Sequence, residues 1–181
     1  MVEFQELIFL GKLKINMKKI LIPKKINKKN FLKYGELIST SSQKYKKINN
    51  GNAINYYDLI NLDVLEKYGK PKLSLFKVKP RNFPLKIEML ERHPLGSQCF
   101  FPLGDCSFIV VVTIPNKIPN INDIKSFIIP PNTGINYKKG VWHYPIISVR
   151  KSSFIVIDRK GRNNNLDIYN FKKDQVILSY G

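Results

Sequence analysis

The only two histidines in 181 residues fall in the stretches ERHPLGSQ (91–98) and GVWHYP (140–145). If LKIEMLERH (85–93) is a strand, its alternation puts Met89, Glu91 and His93 on one face and Leu90 and Arg92 on the other. Pro94-Leu95-Gly96 then turns the chain and Gln98 opens the next strand, so Glu91, His93 and Gln98 converge at one end of a hairpin. His143 lies on a later strand, bracketed by Gly140 and Pro145. Two imidazoles, a carboxylate and an amide oxygen form a donor set suited to a divalent metal. The competing reading is a structural network of Glu, Arg and His with no metal. Spacing alone balances the two.

Other chemistries are poorly represented. The chain has no Gly-rich phosphate loop, no C-x-x-C pair and no G-x-S-x-G elbow. Cys99 and Cys106 flank an apolar hairpin and read as packed thiols. They are too few for a disulfide framework, which points to a reducing, cytoplasmic setting. No apolar run approaches the ~18–20 residues of a membrane-spanning helix, and EFQELIFLGKLKI (3–15) lacks the marks of a secretory leader.

The elements that must position these residues are mostly short strands. LSLFKV (73–78), LKIEMLERH (85–93), SQCFFPL (97–103), SFIVVVTI (107–114), SFIIP (126–130), INYKKGVWHY (135–144), IISV (146–149), FIVIDR (154–159) and QVILSY (175–180) are rich in β-branched or aromatic residues. Pro, Gly, Asn and Asp separate them, as in an all-β barrel or sandwich. A helix capped by Asn27 is expected through Leu32–Tyr34, closed by Gly35, and a second over 58–69. NINDIKSF (120–127) suggests one helical turn capped by Asn122 or Asp123. Residues 1–16 read as an extension or a misassigned start, and 17–181 as one β domain with short helices, mostly N-terminal.

The formal charge of +18 raises the possibility of nucleic-acid binding. However, 26 of the 31 basic residues are lysine, and base-edge readout favours arginine. The lysines are also dispersed, apart from 18–33 and 43–50. The expectation is a solvated basic face with at most non-specific affinity for polyanions. A non-catalytic basic module remains an alternative function.

ERHPLGSQCFFPLG, the following VVV, GINYKKGVWHYP, and IDRKG with NN shortly after resemble the ureidoglycolate lyase family (formerly ureidoglycolate hydrolase). The similarity extends back through PRNFPLKIEML and INNG to FLKYGELI, and runs from about Met17 to Phe171. The spacing E-x-H-x4-Q … H also follows the H-x-H-x4-E … H ligand spacing of small cupin-type barrels. The resemblance implies a cupin-type β-barrel (double-stranded β-helix), a homodimer, and elimination of urea from (S)-ureidoglycolate to give glyoxylate in allantoin and purine breakdown. It implies nickel as the divalent metal. The matching positions are Glu91, Arg92, His93, Gln98, His143, Asp158 and Arg159. Asn55, Tyr57 and Lys77 depart from the family pattern. Another cupin-type metalloenzyme acting on a small polar acid is the alternative on the same fold.

For that carbon–nitrogen lyase reaction, His93, His143 and Gln98 are expected to hold the metal. Glu91 is either a fourth ligand or the general base. A cation must hold the substrate carboxylate; Lys77 and Arg81 are the candidates, with Lys79 behind them. Tyr137 shares the parity of His143 and either lines the pocket or fills the core. Arg92 has the wrong parity for catalysis and is expected in an ion pair, for example with Asp158, or at a dimer interface. At most one of Asp158 and Arg159 can point inward.

Overall fold

The computed structural model describes residues 18–41, 44–171 and 175–181. The suggested extension over 1–16 and the start at Met17 lie outside the described residues. The fold is mainly β, as expected, and its two largest sheets face each other. One sheet has five antiparallel strands in the order Gly35–Ile38, Gly134–Tyr137, Gln98–Leu103, Ser152–Lys160 and Lys70–Val78. The other has seven: Asp167–Asn170, Met89–Arg92, Trp142–His143, Phe108–Thr113, Lys125–Ile129 and Lys24–Lys25, with Ile147–Ser148 also paired to Phe108–Thr113.

The strand Phe108–Thr113 shows why the sequence lacks alternation there. Phe108, Val110 and Val112 face the space between the two large sheets, packing with Phe100, Ile135, Phe154 and Val156. Ile109 and Val111 face the opposite way, into a second core under a three-stranded sheet of Lys19–Leu21, Val176–Leu178 and Leu85–Lys86. A strand buried on both faces needs apolar residues at every position. Burying each such side chain contributes about 1.5–3 kcal/mol, and the edge-on contact of Phe108 with Phe154, 5.2 Å between centroids, locks the first core.

The helical expectations are met only locally. Asn27 caps a helix, and the cap is reciprocal: Asn30 N–H donates to Asn27 Oδ1 at 2.8 Å and Asn27 N–H to Asn30 Oδ1 at 2.9 Å. The helix spans only Lys28–Phe31 and drops Phe31 onto Phe127 and Tyr137. Gly35 does not close it. It opens a strand, where a Cβ would collide with the Asn136 carbonyl oxygen, so the glycine serves close backbone approach.

The helix expected over 58–69 is absent except for a short turn, Glu66–Tyr68. Asp58, Lys67 and Tyr68 have positive φ, and the buried Arg159 guanidinium donates to the carbonyls of Glu66 and Lys67. Those tertiary hydrogen bonds replace helical ones. The turn at 120–127 does form, as Ile121–Asp123, but Asn120 is its cap. The run 135–144 is two strands, split by a turn whose Gly140 has φ +77.

Candidate metal centre

Register brings the functional side chains together. His143 pairs with Val112 on one side and with Glu91 on the other. Residues opposite one another share a face, and Val112 faces the core between the sheets. Glu91 and His143 therefore point into that space, while Leu90 and Trp142 pack in the second core. The turn before His143 is tied to the other histidine, because Gly140 N–H donates to the His93 carbonyl at 2.9 Å.

Ligand atoms of Glu91, His93 and His143 all lie within 4.8 Å of one another. The rings of His93 and His143 are 5.4 Å apart. Tyr137, from the facing sheet, stacks on His143 at 4.4 Å and 17°. Tyr137 thus joins the two sheets at the site and is core as well as wall.

The fit to a metal rests on the ring nitrogens. His93 Nδ1 lies 2.7 Å from the Asn165 carbonyl, and His143 Nδ1 lies 3.0 Å from the Val141 carbonyl. A carbonyl only accepts, so in each neutral ring Nδ1 carries the proton and Nε2 keeps its lone pair. Both Nε2 atoms are buried and lack a hydrogen-bond partner among the described residues. The Glu91 carboxylate stands 3.5 Å from His143 Nε2, a charge-pair distance. Two orphaned lone pairs facing one carboxylate suit a cation, and backbone carbonyls that orient ligating imidazoles are the usual outer support of such sites.

The electrostatics agree. Burial, then the neighbouring His143, hold the His93 pKa below its usual value, so its ring is neutral at pH 7. Burial alone would push Glu91 up, but His143 and His93 outweigh it and draw the carboxyl below its usual range. Burial, then the Glu91 charge, raise Tyr137 far above the usual phenol range. Its hydroxyl stays protonated.

Gln98 belongs to the same wall. It pairs with Tyr137, is buried, and its Oε1 has no hydrogen-bond partner among the described residues. Lys77 is not brought to the cluster: it is exposed opposite Ser153, on the same strand face as Leu73 and Leu75. Arg81 lies at Tyr144, 3.4 Å from its hydroxyl, and its N–H donates to the Ser148 carbonyl. Asn55 and Tyr57 lie on and just after a separate hairpin, Tyr45–Ile48 with Ala53–Tyr56.

Arg92 behaves as its parity predicts, but with a different partner. It pairs with Asp167 at 2.8 Å, not Asp158, donates to the Asn116 carbonyl, and lies 4.6 Å over the Trp142 ring. Asp158 pairs instead with Lys72, while Arg159 turns to the other face beneath the 58–69 segment. Asn165 is the contributor that sequence reading missed. Its carbonyl orients His93 and its side chain accepts from Leu95 N–H at 2.7 Å; the run of three asparagines at 163–165 was the available signal.

Two mainly antiparallel sheets that face each other over inward imidazoles and a carboxylate define a cupin-type barrel with a site compatible with a divalent metal. A family model described as ureidoglycolate lyase matches residues 18–178. A protein of Burkholderia mallei named ureidoglycolate lyase is 40% identical over 157 residues, covering 83% of this chain and 92% of its own. Namesakes from Pseudomonas aeruginosa and Pseudomonas fluorescens are 36% and 34% identical over 154 residues, covering 84% of this chain and 91% and 92% of theirs. The chain belongs to the ureidoglycolate lyase family.

Proposed function

We propose that the protein cleaves (S)-ureidoglycolate into glyoxylate and urea, as an enzyme of allantoin and purine breakdown. The carrying observation is the pair of orphaned Nε2 atoms beside the Glu91 carboxylate, in a chain of this family. The substrate carbon bears a hydroxyl, a carboxylate and a ureido nitrogen. Cleavage removes the hydroxyl proton, forms the aldehyde C=O, breaks the C–N bond and returns one proton to the departing nitrogen.

His93, His143 and Glu91 would hold a divalent metal, nickel by family resemblance. Bound there, the metal supplies a Lewis acid that lowers the pKa of the substrate hydroxyl. Glu91, whose carboxyl lies below its usual range and is ionised at neutral pH, takes up that proton on one of its oxygens. Tyr137 and Val112 close the inner wall and exclude water, and Tyr137 holds the plane of His143 by stacking.

We assign residues 17–181 to one lyase domain. We also propose a homodimer formed through the outer face of the five-stranded sheet. Leu73, Leu75 and Leu103 are 69%, 56% and 45% exposed there, beside Ile155 and Ile157 on the adjoining strand. A patch of this kind marks an interaction surface. The free, buried Cys99 and Cys106 support a cytoplasmic location.

The test is a coupled assay of glyoxylate and urea from fresh ureidoglycolate, with spontaneous breakdown subtracted and metal content measured alongside. Equimolar products are expected from wild type, and neither His93→Ala nor His143→Ala should exceed the spontaneous rate. A wild type that matches the spontaneous rate with nickel or manganese added would overturn the reading.

A further inference from the structure

The sequence nominated Lys77 and Arg81 to hold the substrate carboxylate; Lys77 is exposed on the outer sheet face and Arg81 lies at Tyr144. The register of the five-stranded sheet offers another cation. Tyr137 pairs with Gln98, and Asp158 pairs with Lys72. Ile157 pairs with Cys99, so one step along those antiparallel strands sets Asp158 opposite Gln98. Tyr137, Gln98, Asp158 and Lys72 therefore form one row across four strands, all on the same face.

The direction of that face is fixed independently. Tyr137 stacks on His143 at one end of the row. Near the other end, Phe76, which shares the parity of Lys72, packs against Phe100 of the inner core at 6.1 Å. Asp158 lies close enough for its charge to act on the His93 ring. Its side chain is 15% exposed, and Lys72 Nζ reaches its Oδ1 at 3.1 Å. With strands ~4.8 Å apart, Lys72 starts three strands from Tyr137 and leans back toward the metal centre.

We propose that Lys72 holds the substrate carboxylate, that Asp158 keeps its ammonium aimed over the site, and that Gln98 Oε1 accepts from the ureido N–H groups between them. An ammonium has three donors, so the pair with Asp158 leaves capacity for a second anion. The Lys72 side chain is 45% exposed, so that capacity is reachable from solvent. Gln98 supplies a buried acceptor with no partner, the property needed for an amide donor. In this arrangement the sheet row lays the substrate out from Lys72 toward His143. The proposal rests on the lyase reading for its substrate, but the row itself predicts affinity for any small carboxylate carrying an amide.

Steady-state kinetics on Lys72→Met and Lys72→Arg, with oxamate as an unreactive probe in calorimetry on the metal-loaded protein, test this. Lys72→Met should raise KM about 10–100-fold, the size of one charge-assisted hydrogen bond, with kcat changed by less than about threefold. Oxamate affinity should fall in parallel, and Lys72→Arg should recover most of both. Lys47→Met, on the separate hairpin, controls for the loss of one positive charge and should change neither. Melting curves establish that each variant is folded; Lys72 is half-exposed, so each should be. An active wild type with KM and oxamate affinity unchanged in Lys72→Met overturns the role of Lys72 alone. An inactive wild type that still loses oxamate affinity in Lys72→Met supports the carboxylate site while removing the lyase reading. Failure of wild type to bind oxamate at all overturns the proposal.

Discussion

Replacing Glu91 with glutamine keeps the side-chain size and deletes one charge at the centre of the site. That charge stands 3.5 Å from His143 Nε2. At this separation an ion pair is worth about 5 kcal/mol at an effective dielectric of ~20, and desolvation of the carboxylate offsets part of it. The attraction operates when a proton or a metal supplies the positive partner. Metal affinity should therefore fall by more than the ~10–100-fold typical of losing an outer-sphere partner. Loss of the base should lower kcat by about 10²–10⁴-fold, or roughly 3–5 kcal/mol of barrier. The assay pairs calorimetric nickel titration with initial rates of glyoxylate release at saturating metal, so that lost metal and lost base are read separately. Full activity and full metal affinity in a folded Glu91→Gln protein would refute the assignment. Glu91 would then be a wall residue only.

Two further outcomes follow from the same geometry. The folded metal-free protein should lose stability as the pH falls below about 6.5, because the unfolded chain protonates His93 before the folded one does. Glu91 adds to the loss below its usual 4.5, since its contribution is present above that value and disappears as pH falls through its lowered folded pKa. Urea midpoints measured from pH 8 to pH 4 check this, and a midpoint that rises on acidification would contradict it. Separately, Leu75→Lys should convert a sedimenting dimer to monomer by placing charge in the apolar outer face. A variant that remains dimeric would place the interface elsewhere.

Much of the site was legible because strand parity is a local property. Glu91 and His93 against Leu90 and Arg92, and His143 against Trp142, needed only the period of two, and the structure keeps that division. Most strands were legible for the same reason, but the run 85–93 is two strands, Leu85–Lys86 and Met89–Arg92, in different sheets, and Gly35–Ile38, Tyr45–Ile48, Ala53–Tyr56 and Asp167–Asn170 were not read. The 58–69 segment was misread because its backbone carbonyls are taken by Arg159, some ninety residues away. Helical periodicity cannot register a competitor from another strand.

The sequence by itself determined a mainly β chain of this family, two histidines and a glutamate on inward faces, and an Asn27 cap. Only the tertiary structure decided the partners. Pairing register between distant strands sets Asp158 beside Lys72 and Arg92 with Asp167, and the packing of sheet on sheet sets Tyr137 on His143. It also brings the Asn165 carbonyl to His93 from beyond the last long strand. Register is a relation between segments far apart in the chain, fixed by how two cores fill, and no single segment encodes it.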